Sequence, residues 1–508
     1  MLLGVAQIVT VLLIAVVAIS LLRCIVFNVS DKRRFPLRWR WPIVGDLLTL
    51  IARFDVLHDH FVDLVRSTGK RCNEMSVPGY RIIIIVDPVD VEHVLKRNWE
   101  NYRVGKGLRS ESVRDVFGRG IFNADGKHWF LQRKHSAREF SANIFRDFMT
   151  AQFIEHSKLL SGILAANVGR TVDMHALLFQ LTLDAFGKIA FGVDIGGLQG
   201  KPIPFAASFD RSQELCARRG LTKPMWLWKT QKALGPFGEE RELKRHVDVI
   251  EKFVSELVQA RMLELNESRA KATRDAPHER DDLLSKLIVA SESDDSIEPS
   301  QRMSYLRDMT VNFIIAGRDT TACAFSWFLY ELSKHPDAEK HVVAELEEVL
   351  QGRAPTFDTL QECQYLMAAL SETLRLHPSV PFDPKTVVTD DVLPCGVRVK
   401  AGDTVAYLPY AMGRMPFIWG PDCLEFKPER WIKDGVFVRE DACKFTAFQA
   451  GPRQCLGLDM AYLEMKVVAA MLLPHYRFVL LEEPKYRVGI VLQMKNGLQV
   501  TVERRLSK

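Results

Sequence analysis

The stretch from Phe448 to Gly457 constrains the fold of this chain more than any other, because it sets one cysteine between a turn and a helix. A glycine and a proline make the turn, Cys455 follows, and an apolar pattern typical of a helix runs from Asp459 to Leu473. Unpaired backbone N–H groups and the helix dipole at such a position favour a thiolate, which is the metal-binding form of cysteine. A lone cysteine is more often a small buried apolar residue than a ligand. Cys455 is therefore a candidate metal ligand that other parts of the chain must support.

Bulk composition indicates an ordinary globular protein without a nucleic-acid partner. The chain has 508 residues, 47% hydrophobic and 26% charged, with a formal net charge of +5. No stretch in its middle is rich enough in Gly, Pro or Ser to divide it, so we expect one large domain, with two as the alternative. Lysine and arginine are spread out and are not interleaved with aromatic residues. The nine cysteines are widely spaced and include no Cys-x-x-Cys pair, which favours free thiols in a reducing compartment.

The first residues are predicted to anchor the protein in a membrane. Leu2 to Leu22 contain no charged residue and, as a helix, are long enough to cross the apolar core of a bilayer. The positive-inside rule places the basic residues that follow in the cytosol; these are Arg23, Lys32, Arg33, Arg34, Arg38 and Arg40. A cleaved signal peptide is the alternative, but the apolar stretch is too long and its basic cluster lies on the C-terminal side. We predict an anchor helix at 1–27, a basic, proline-containing linker at 28–45 and a single domain at 46–508.

Hydrophobic periodicity predicts a mainly helical domain with a minor β region. Strand character is confined to a β-branched run at Arg81–Val86 and to short pieces at 397–405 and 477–502. The polar stretch 269–302 is predicted to be a surface loop with a short helix at 283–290. Helical periodicity covers most of the remainder, in segments at 129–195, 239–271, 303–334, 337–351, 359–376 and 459–473.

A cluster of poor helix formers interrupts the apolar helix predicted at 303–334. Its sequence is Ala316-Gly-Arg-Asp-Thr-Thr321, and Asp, Thr and Gly cost up to about 1 kcal/mol each relative to Ala inside a helix. Ala316 and Thr320 share one helix face, where a small residue leaves room and a hydroxyl can donate a hydrogen bond. A glycine that eases helix packing, beside a surface Asp319, explains the segment equally well.

Three further features are weak signals when each is taken alone. Glu372 and Arg375 lie three residues apart on a predicted helix, and such a pair is usually a solvated salt bridge worth about a few tenths of a kcal/mol. Arg430, in the stretch Phe-Lys-Pro-Glu-Arg-Trp, can join them in a buried network or lie in a surface loop. Trp129 and Arg133 lie one helical turn apart and can present an indole N–H and a guanidinium to one anion, although a core Trp and a solvent-facing Arg are commoner.

Together these motifs resemble those of the cytochromes P450, the haem-thiolate monooxygenases, over essentially the whole chain and in the family's order. The cysteine motif Phe-x-x-Gly-x-Arg-x-Cys-x-Gly is matched at 448, 451, 453, 455 and 457. The Glu-x-x-Arg motif falls at 372–375, the oxygen-activation motif at 316–320 and the Trp-x-x-x-Arg motif at 129–133. No core residue of these motifs is missing, so the resemblance implies the P450 fold and an active enzyme with haem b.

The resemblance also implies a role for each motif residue. Cys455 is expected to be the axial thiolate ligand of the haem iron, and Arg430 to complete the network of Glu372 and Arg375 behind the haem. Thr320 is expected to hold dioxygen and a water, with Asp319 relaying protons from outside and with Ala316 and Gly317 leaving space. The haem propionates are expected to be bound by Trp129, Arg133 and Arg453. Further cofactor contacts are expected from Phe448, Gly457 and Ala316.

Within the family, the chain is similar to plant-type microsomal fatty-acid omega-hydroxylases. The runs that carry this likeness are Gly120–Asp125, Asn312–Thr321, Val380-Pro-x-Asp-x-Lys385 and Ala450-Gly-Pro-Arg. The departures around the cysteine are Gln454, Leu458 and Glu464, and those near the family's substrate pocket are Phe382 and Pro384. By family position, the pocket is expected to be lined by Phe117, Phe122, Phe313, Phe382 and Leu492.

The expected reaction inserts one oxygen atom of O2 into a C–H bond of an apolar substrate, with omega-hydroxylation of a long-chain fatty acid as the leading case. The alternatives are a sterol or isoprenoid hydroxylase, a haem isomerase or dehydratase acting on lipid hydroperoxides, and a haem-based sensor. The chain has no Gly-rich dinucleotide fingerprint. We therefore expect electrons from a separate NADPH-cytochrome P450 reductase, with both proteins in the endoplasmic reticulum membrane and the catalytic domain in the cytosol.

Overall fold

The computed structural model describes residue 15 and residues 44–140, 143–235, 237–271 and 282–505. Within these ranges, no helix has both the length and the apolar character that crossing a bilayer requires. The predicted anchor at 1–27 and linker at 28–45 lie almost entirely outside the described residues. Both therefore stay predictions.

Helices make up most of the described chain, as the periodicity predicts. In chain order they are α1 (Leu47–Ala52), α2 (Leu57–Thr68), α3 (Pro88–Glu92), α4 (Gly107–Phe117), α5 (Gly126–Phe140), α6 (Asn143–Ala166), α7 (Met174–Phe191), α8 (Pro204–Thr222), α9 (Met225–Ala233), α10 (Glu239–Lys271), α11 (Leu283–Ser293), α12 (Arg302–Ile314), α13 (Thr320–Lys334), α14 (Pro336–Leu350), α15 (Phe357–Glu362), α16 (Gln364–Leu376), α17 (Pro409–Met412), α18 (Pro416–Trp419) and α19 (Leu458–Leu472).

Small sheets complete the fold. The strands are β1 (Cys72–Val77), β2 (Tyr80–Ile85), β3 (Tyr102–Arg103), β4 (Thr171–Asp173), β5 (Asp383–Val387), β6 (Asp391–Val392), β7 (Arg398–Val399), β8 (Thr404–Tyr407), β9 (Ile432–Lys433), β10 (Val436–Phe437), β11 (Tyr476–Leu480) and β12 (Gln499–Arg504). The largest sheet has the order β1-β2-β8-β5-β3, in which only β2 and β8 run parallel. A second sheet joins β11, β12 and β4, while β6 pairs with β7 and β9 with β10.

The β-branched run at Arg81–Val86 forms most of strand β2, which confirms the strand predicted there. Ile82 to Ile85 are all buried, and Ile84 pairs with Asn73 of β1 on one side and with Ala406 of β8 on the other. A strand that is buried on both faces requires a continuous apolar run rather than an alternating pattern.

Two other predicted segments are interrupted in the structure, because the chain turns within them. The helical segment predicted at 129–195 is three helices, α5 to α7, with β4 between the last two. The segment 477–502 is strand only near its ends, because β11 and β12 pair with each other and an irregular stretch connects them. The short helix predicted at 283–290 is confirmed as α11.

One long helix, from Arg302 to Lys334, runs through the core and brings the motif regions together. It consists of α12, a π-helical segment at Ile315–Asp319 and α13. The π segment coincides with the cluster of poor helix formers, and such widened turns are frequent at functional sites. Helix α19, which follows the cysteine, packs against α6, α13 and α16. The cysteine helix and the helix with the π segment therefore share one core.

Candidate functional site

The loop before Cys455 folds back on itself in a conformation that requires a glycine. The backbone N–H of Cys455 donates to the Phe448 carbonyl at 2.9 Å. Gly451 has a φ of +67°, and a Cβ there would lie 2.1 Å from the carbonyl oxygen of Leu95. Only glycine combines this left-handed conformation with such a close approach. The Phe448 ring packs 5.2 Å from the ring of Tyr462 on α19, which fixes the loop to the cysteine helix.

The Cys455 sulfur lies beside Gly457, at the start of α19. Solvent reaches the side chain, yet the surrounding protein is dense enough that burial raises the pKa of the thiol. The Gly457 N–H, which donates to the sulfur, and the charge of Arg133 oppose this rise. A Cβ at Gly457 would have only this sulfur within 4.0 Å, so the face beside the thiol is open. Haem iron can be held by the thiolate of a single cysteine.

Arg453 lies against Trp129 and is held by the loop before α5. Its guanidinium carbon is 4.6 Å from the centre of the indole ring, and one terminal N–H group donates to Asp125 at 2.7 Å and to the Ala124 carbonyl at 2.9 Å. Burial lowers the pKa of Arg453 to about 10, although Asp125 opposes this. The Nε atom is buried and has no hydrogen-bond partner. The side chain therefore keeps a donor for a group that the protein itself does not supply.

Two further donors near Cys455 have no acceptor among the residues that the structure describes. Arg133 is half-buried and makes no hydrogen bond or ion pair there. Burial lowers its pKa, and the Cys455 sulfur is the group that opposes this. The indole N–H of Trp129 likewise has no acceptor, although the residue is buried. The Nε of Arg453 beside them is buried and unpaired, and buried donors are nearly always paired in folded proteins, so the cluster fits an anionic ligand such as the carboxylates of haem.

Sequence analysis missed two cations beside this cluster. Arg109 on α4 donates to the Phe122 carbonyl at 2.7 Å and contributes to the lowered pKa of Arg453. Lys385 is buried and binds both oxygens of Asp383, at 2.9 and 3.0 Å. Arg109 carries no local motif, whereas Lys385 stands within one of the runs that resemble the plant-type enzymes. Arg109 thus adds positive charge that the motifs do not indicate, whereas the charge of Lys385 is matched by Asp383.

Glu372 is the centre of a buried network. Its two oxygens accept from the Arg375 guanidinium at 2.7 and 2.8 Å, and Arg430 Nε lies 3.4 Å from one of them. The indole N–H of Trp431 and the backbone N–H of Lys427 donate to it as well, both at 2.9 Å. The structure thus contains the Glu372, Arg375 and Arg430 network. It adds Trp431, which the same six-residue stretch could have suggested.

Thr320 and Gly317 lie where predicted on the long helix, and each makes a contact within the protein. The Thr320 hydroxyl donates to the Ala316 carbonyl at 2.5 Å, so its hydrogen is used within the helix and its oxygen is left as an acceptor. A Cβ at Gly317 would lie 2.1 Å from the Phe186 ring of α7. The expectation that Gly317 leaves space for dioxygen is therefore wrong, because its missing side chain admits Phe186.

Asp319 is fully buried and belongs to a chain of charged groups that reaches α8. Its carboxylate accepts from the Arg318 guanidinium at 3.0 Å and from the Gln213 amide at 2.5 Å. Arg318 also binds both oxygens of Asp210, at 2.7 and 3.2 Å. Burial raises the pKa of Asp319 to about 7, against the opposing charge of Arg318. The alternative of a surface Asp319 is therefore wrong, and this carboxyl can gain or lose a proton near neutral pH.

A small cleft lies beside Gln213 and Asp210, next to this chain of charges. The buried Oε1 atom of Gln213 has no hydrogen-bond partner, so it can accept from a water molecule. Gln213 lies on α8, far from Asp319 in sequence, and no motif marks it. The polar residues that line the cleft are Asp210, Gln213, Glu214, Arg487 and Gln493.

The five predicted pocket residues divide into core and partly accessible side chains. Phe117, Phe313 and Leu492 are buried, and the Leu492 carbonyl accepts the indole N–H of Trp327 at 2.8 Å. Phe122 is half-buried, and half-buried Phe382 stacks on Phe61 at 5.9 Å. Their contact with a substrate stays a prediction.

Comparison with known proteins identifies the family. The chain matches the Cytochrome P450 family model over residues 36–501. Cytochrome P450 704B1 of Arabidopsis thaliana is 39% identical over 504 residues, covering 92% of this chain and 94% of that protein. Cytochrome P450 704C1 of Pinus taeda is 37% identical over 496 residues, covering 92% of both. The crystal structure of the cytochrome P450DA heme domain shares the fold, with a TM-score of 0.76, 21% identity and coverage of 92% of this chain and 97% of that one. The chain therefore belongs to the cytochrome P450 family of haem-thiolate monooxygenases.

Proposed function

We propose that the protein hydroxylates the terminal carbon of a long-chain fatty acid. The observation that carries the monooxygenase chemistry is the Cys455 sulfur, which receives the Gly457 N–H and has open space beside it at Gly457. Support for the fatty-acid substrate comes from the runs similar to plant-type omega-hydroxylases, and the plant-type likeness agrees with the relatives in Arabidopsis thaliana, Pinus taeda and Vicia sativa.

Cys455 is the proposed iron ligand, and the donors around it are proposed to bind the propionates. Arg133 and the Trp129 indole have no acceptor of their own among the described residues, and Arg453 has a spare Nε. Gly457 and Ala316 leave room for the flat ring, and Phe448 holds the cysteine loop against α19. When bound, the haem supplies the activation of dioxygen for insertion into a C–H bond.

Thr320 and Asp319 are the proposed proton-handling residues. Because the Thr320 hydroxyl donates to Ala316, its oxygen accepts hydrogen bonds from water on the substrate side and orders that water. Asp319 holds a proton at its carboxyl and exchanges it near neutral pH, since burial raises its pKa. Gln213 keeps this carboxyl oriented, and its free oxygen accepts a hydrogen bond from a water in the adjoining cleft.

Electrons are proposed to come from a separate NADPH-cytochrome P450 reductase in the same membrane. The proposal rests on the apolar segment Leu2–Leu22, its basic flank and the lack of a dinucleotide fingerprint in the sequence. We place the protein in the endoplasmic reticulum with its catalytic domain in the cytosol. This location at the membrane suits a substrate that is dissolved in the bilayer.

The test is to reconstitute the protein with a microsomal reductase and NADPH and to analyse products from a mixed panel of fatty acids and sterols. We expect terminal hydroxylation of fatty acids that depends on NADPH and reductase. Products from sterols alone would overturn the substrate while leaving the monooxygenase chemistry intact. In a separate assay without NADPH or reductase, conversion of an added lipid hydroperoxide would favour an isomerase instead.

Thr320→Ala provides a second test. Without the ordering oxygen, electron use should be uncoupled from product formation, so NADPH consumption continues while hydroxylated product falls. The matched control is Thr321→Ala, the neighbouring threonine. Unchanged coupling in Thr320→Ala would contradict the role of Thr320.

A further inference from the structure

Thr320 follows directly after the widened turn at Ile315–Asp319, and both its hydroxyl and its carbonyl make hydrogen bonds. The hydroxyl donates to the Ala316 carbonyl at 2.5 Å, within the helix. The carbonyl accepts the hydroxyl of Ser379 at 2.7 Å. Ser379 is buried and lies 59 residues further along the chain. The residue proposed to order water is therefore held by a donor from outside its own helix.

Ser379 is itself held in place by a series of contacts that returns to the same long helix. It lies in the loop between α16 and β5, and its carbonyl accepts the N–H of Leu492 at 2.9 Å. The Leu492 carbonyl accepts the indole N–H of Trp327 at 2.8 Å, and Trp327 lies two helical turns after Thr320. The ring of His377 stacks on this indole, with the ring centres 4.3 Å apart and the planes 2° apart. The helix and the two loops therefore form one closed set of contacts.

Helix α7 contacts the same turn at the residues before Thr320. The Thr182 hydroxyl donates to the Arg318 carbonyl at 3.0 Å, and the Phe186 ring packs against the turn. A π-helical turn interrupts the regular hydrogen-bond ladder of an α-helix, so its carbonyls take partners from neighbouring elements. Thr182 supports the turn itself, whereas Ser379 donates to Thr320.

We propose that Ser379 is a positioning residue for Thr320. Its hydroxyl keeps the turn in the conformation in which the Thr320 hydroxyl donates to Ala316 and the Thr320 oxygen accepts from water. Without this donor the turn relaxes towards a regular α-helix, and the Thr320 side chain rotates with it. The inference rests on the role proposed above for Thr320 in handling protons.

The first experiment measures amide hydrogen exchange by mass spectrometry on the full-length, haem-loaded protein. In Ser379→Ala, we expect exchange in peptides that cover residues 315–321 to be about 2- to 10-fold faster, as the loss of one neutral hydrogen bond predicts. Ser379→Thr keeps the hydroxyl and should restore the slow rate. The matched control is Ser333→Ala, which removes a hydroxyl that donates to the Tyr330 carbonyl at 2.6 Å on the same helix. An unchanged rate at 315–321 in Ser379→Ala would overturn the proposal.

The second experiment shows whether Ser379 acts through Thr320. It measures hydroxylated product and hydrogen peroxide formed per NADPH in the reconstituted system. We expect Ser379→Ala to lower coupling, Ser379→Thr to restore it and Ser333→Ala to leave it unchanged. The double variant Ser379→Ala/Thr320→Ala should be no less coupled than Thr320→Ala alone, because both changes act on the same hydroxyl. A further loss in the double variant would show that Ser379 acts by another route and would overturn the proposal.

The single variants separate this inference from the proposed function. If Thr320→Ala is uncoupled while Ser379→Ala is fully coupled, the positioning role is wrong and the proposed function stands. If Thr320→Ala stays coupled, the role of Thr320 is wrong, and the positioning role is overturned with it. Ser379→Cys, which keeps the size of the side chain but has a weaker donor, carries the same expectations if Ser379→Ala fails to fold.

Discussion

Two clusters of charged side chains in this protein differ in how completely they are partnered. Around Glu372, both carboxylate oxygens accept hydrogen bonds, and Arg375 also donates to the carbonyls of Cys423 at 2.7 Å and Glu425 at 2.9 Å. Around Cys455, Arg133 and the Trp129 indole have no acceptor within the described residues, and Arg453 Nε is buried without a hydrogen-bond partner. Buried polar groups left unpaired are costly. A complete cluster therefore stabilises the fold by itself, whereas an incomplete one indicates a ligand.

Removal of Glu372 should have the largest effect. In Glu372→Ala, Arg375 would remain buried without its carboxylate, and breaking a buried ion pair in this way costs about 3–5 kcal/mol. We expect little folded, haem-containing protein, measured as the yield of haem per chain and by thermal unfolding. The control is Asp248→Asn, which removes an exposed pair with Lys244 and should change stability by less than about 1 kcal/mol. An equal loss of stability and haem content in the two variants would contradict the claim that the Glu372 cluster stabilises the fold.

Arg133→Ala should weaken haem binding without unfolding the protein. The side chain makes no hydrogen bond to the described protein, so the fold loses little, whereas a hydrogen bond to a charged group contributes about 1.5–3 kcal/mol. We expect haem to transfer to an acceptor protein about 10- to 100-fold faster. Arg97→Ala, which removes an exposed arginine paired with Glu92, is the control. Reduced stability with unchanged haem transfer would show that Arg133 belongs to the fold rather than to the ligand site.

Asp319→Asn should lower coupling by about 10- to 100-fold, which reaches the lower end of the range of about 10²–10⁴ for general acid–base effects. Burial raises the pKa of Asp319 to about 7, so the carboxyl is protonated below that pH and charged above it. Product formed per NADPH should therefore fall in the wild type as pH rises through 7, and this dependence should vanish in the variant. A pH profile that is the same in both proteins would rule out Asp319 as the proton donor.

Gln213→Leu should have the smallest effect, about a few-fold loss of coupling, because one neutral hydrogen bond contributes about 1 kcal/mol. It should also move the midpoint of the pH profile, since Gln213 donates to the Asp319 carboxylate. Gln493→Leu, which lines the same cleft, is the control and should leave the midpoint unchanged. If the midpoint shifted equally in both variants, the effect would come from the cleft rather than from the hydrogen bond between Gln213 and Asp319.

Local motifs predicted those parts of the site that are contiguous in sequence. The Cys455 loop could be predicted because its turn and its helix are adjacent in sequence. The pair of Glu372 and Arg375 could be predicted because the two residues lie three apart on one helix. The position of Arg430 followed from the family resemblance, and Trp431 was missed although it is adjacent. Gln213 and Arg109 could not be found, because only folding brings α8 and α4 to the site. The role of Gly317 was also predicted wrongly, because the Phe186 ring that packs against it belongs to a helix distant in sequence.

The most direct test of the central claim, that the Cys455 thiolate is the iron ligand, is the absorption spectrum of the reduced, carbon-monoxide-bound protein. We predict the thiolate-type band in the wild type and in Cys443→Ala, which removes a buried thiol elsewhere. We predict its complete loss in Cys455→Ala, even if some haem is retained. A thiolate-type band that persists in Cys455→Ala would contradict the account.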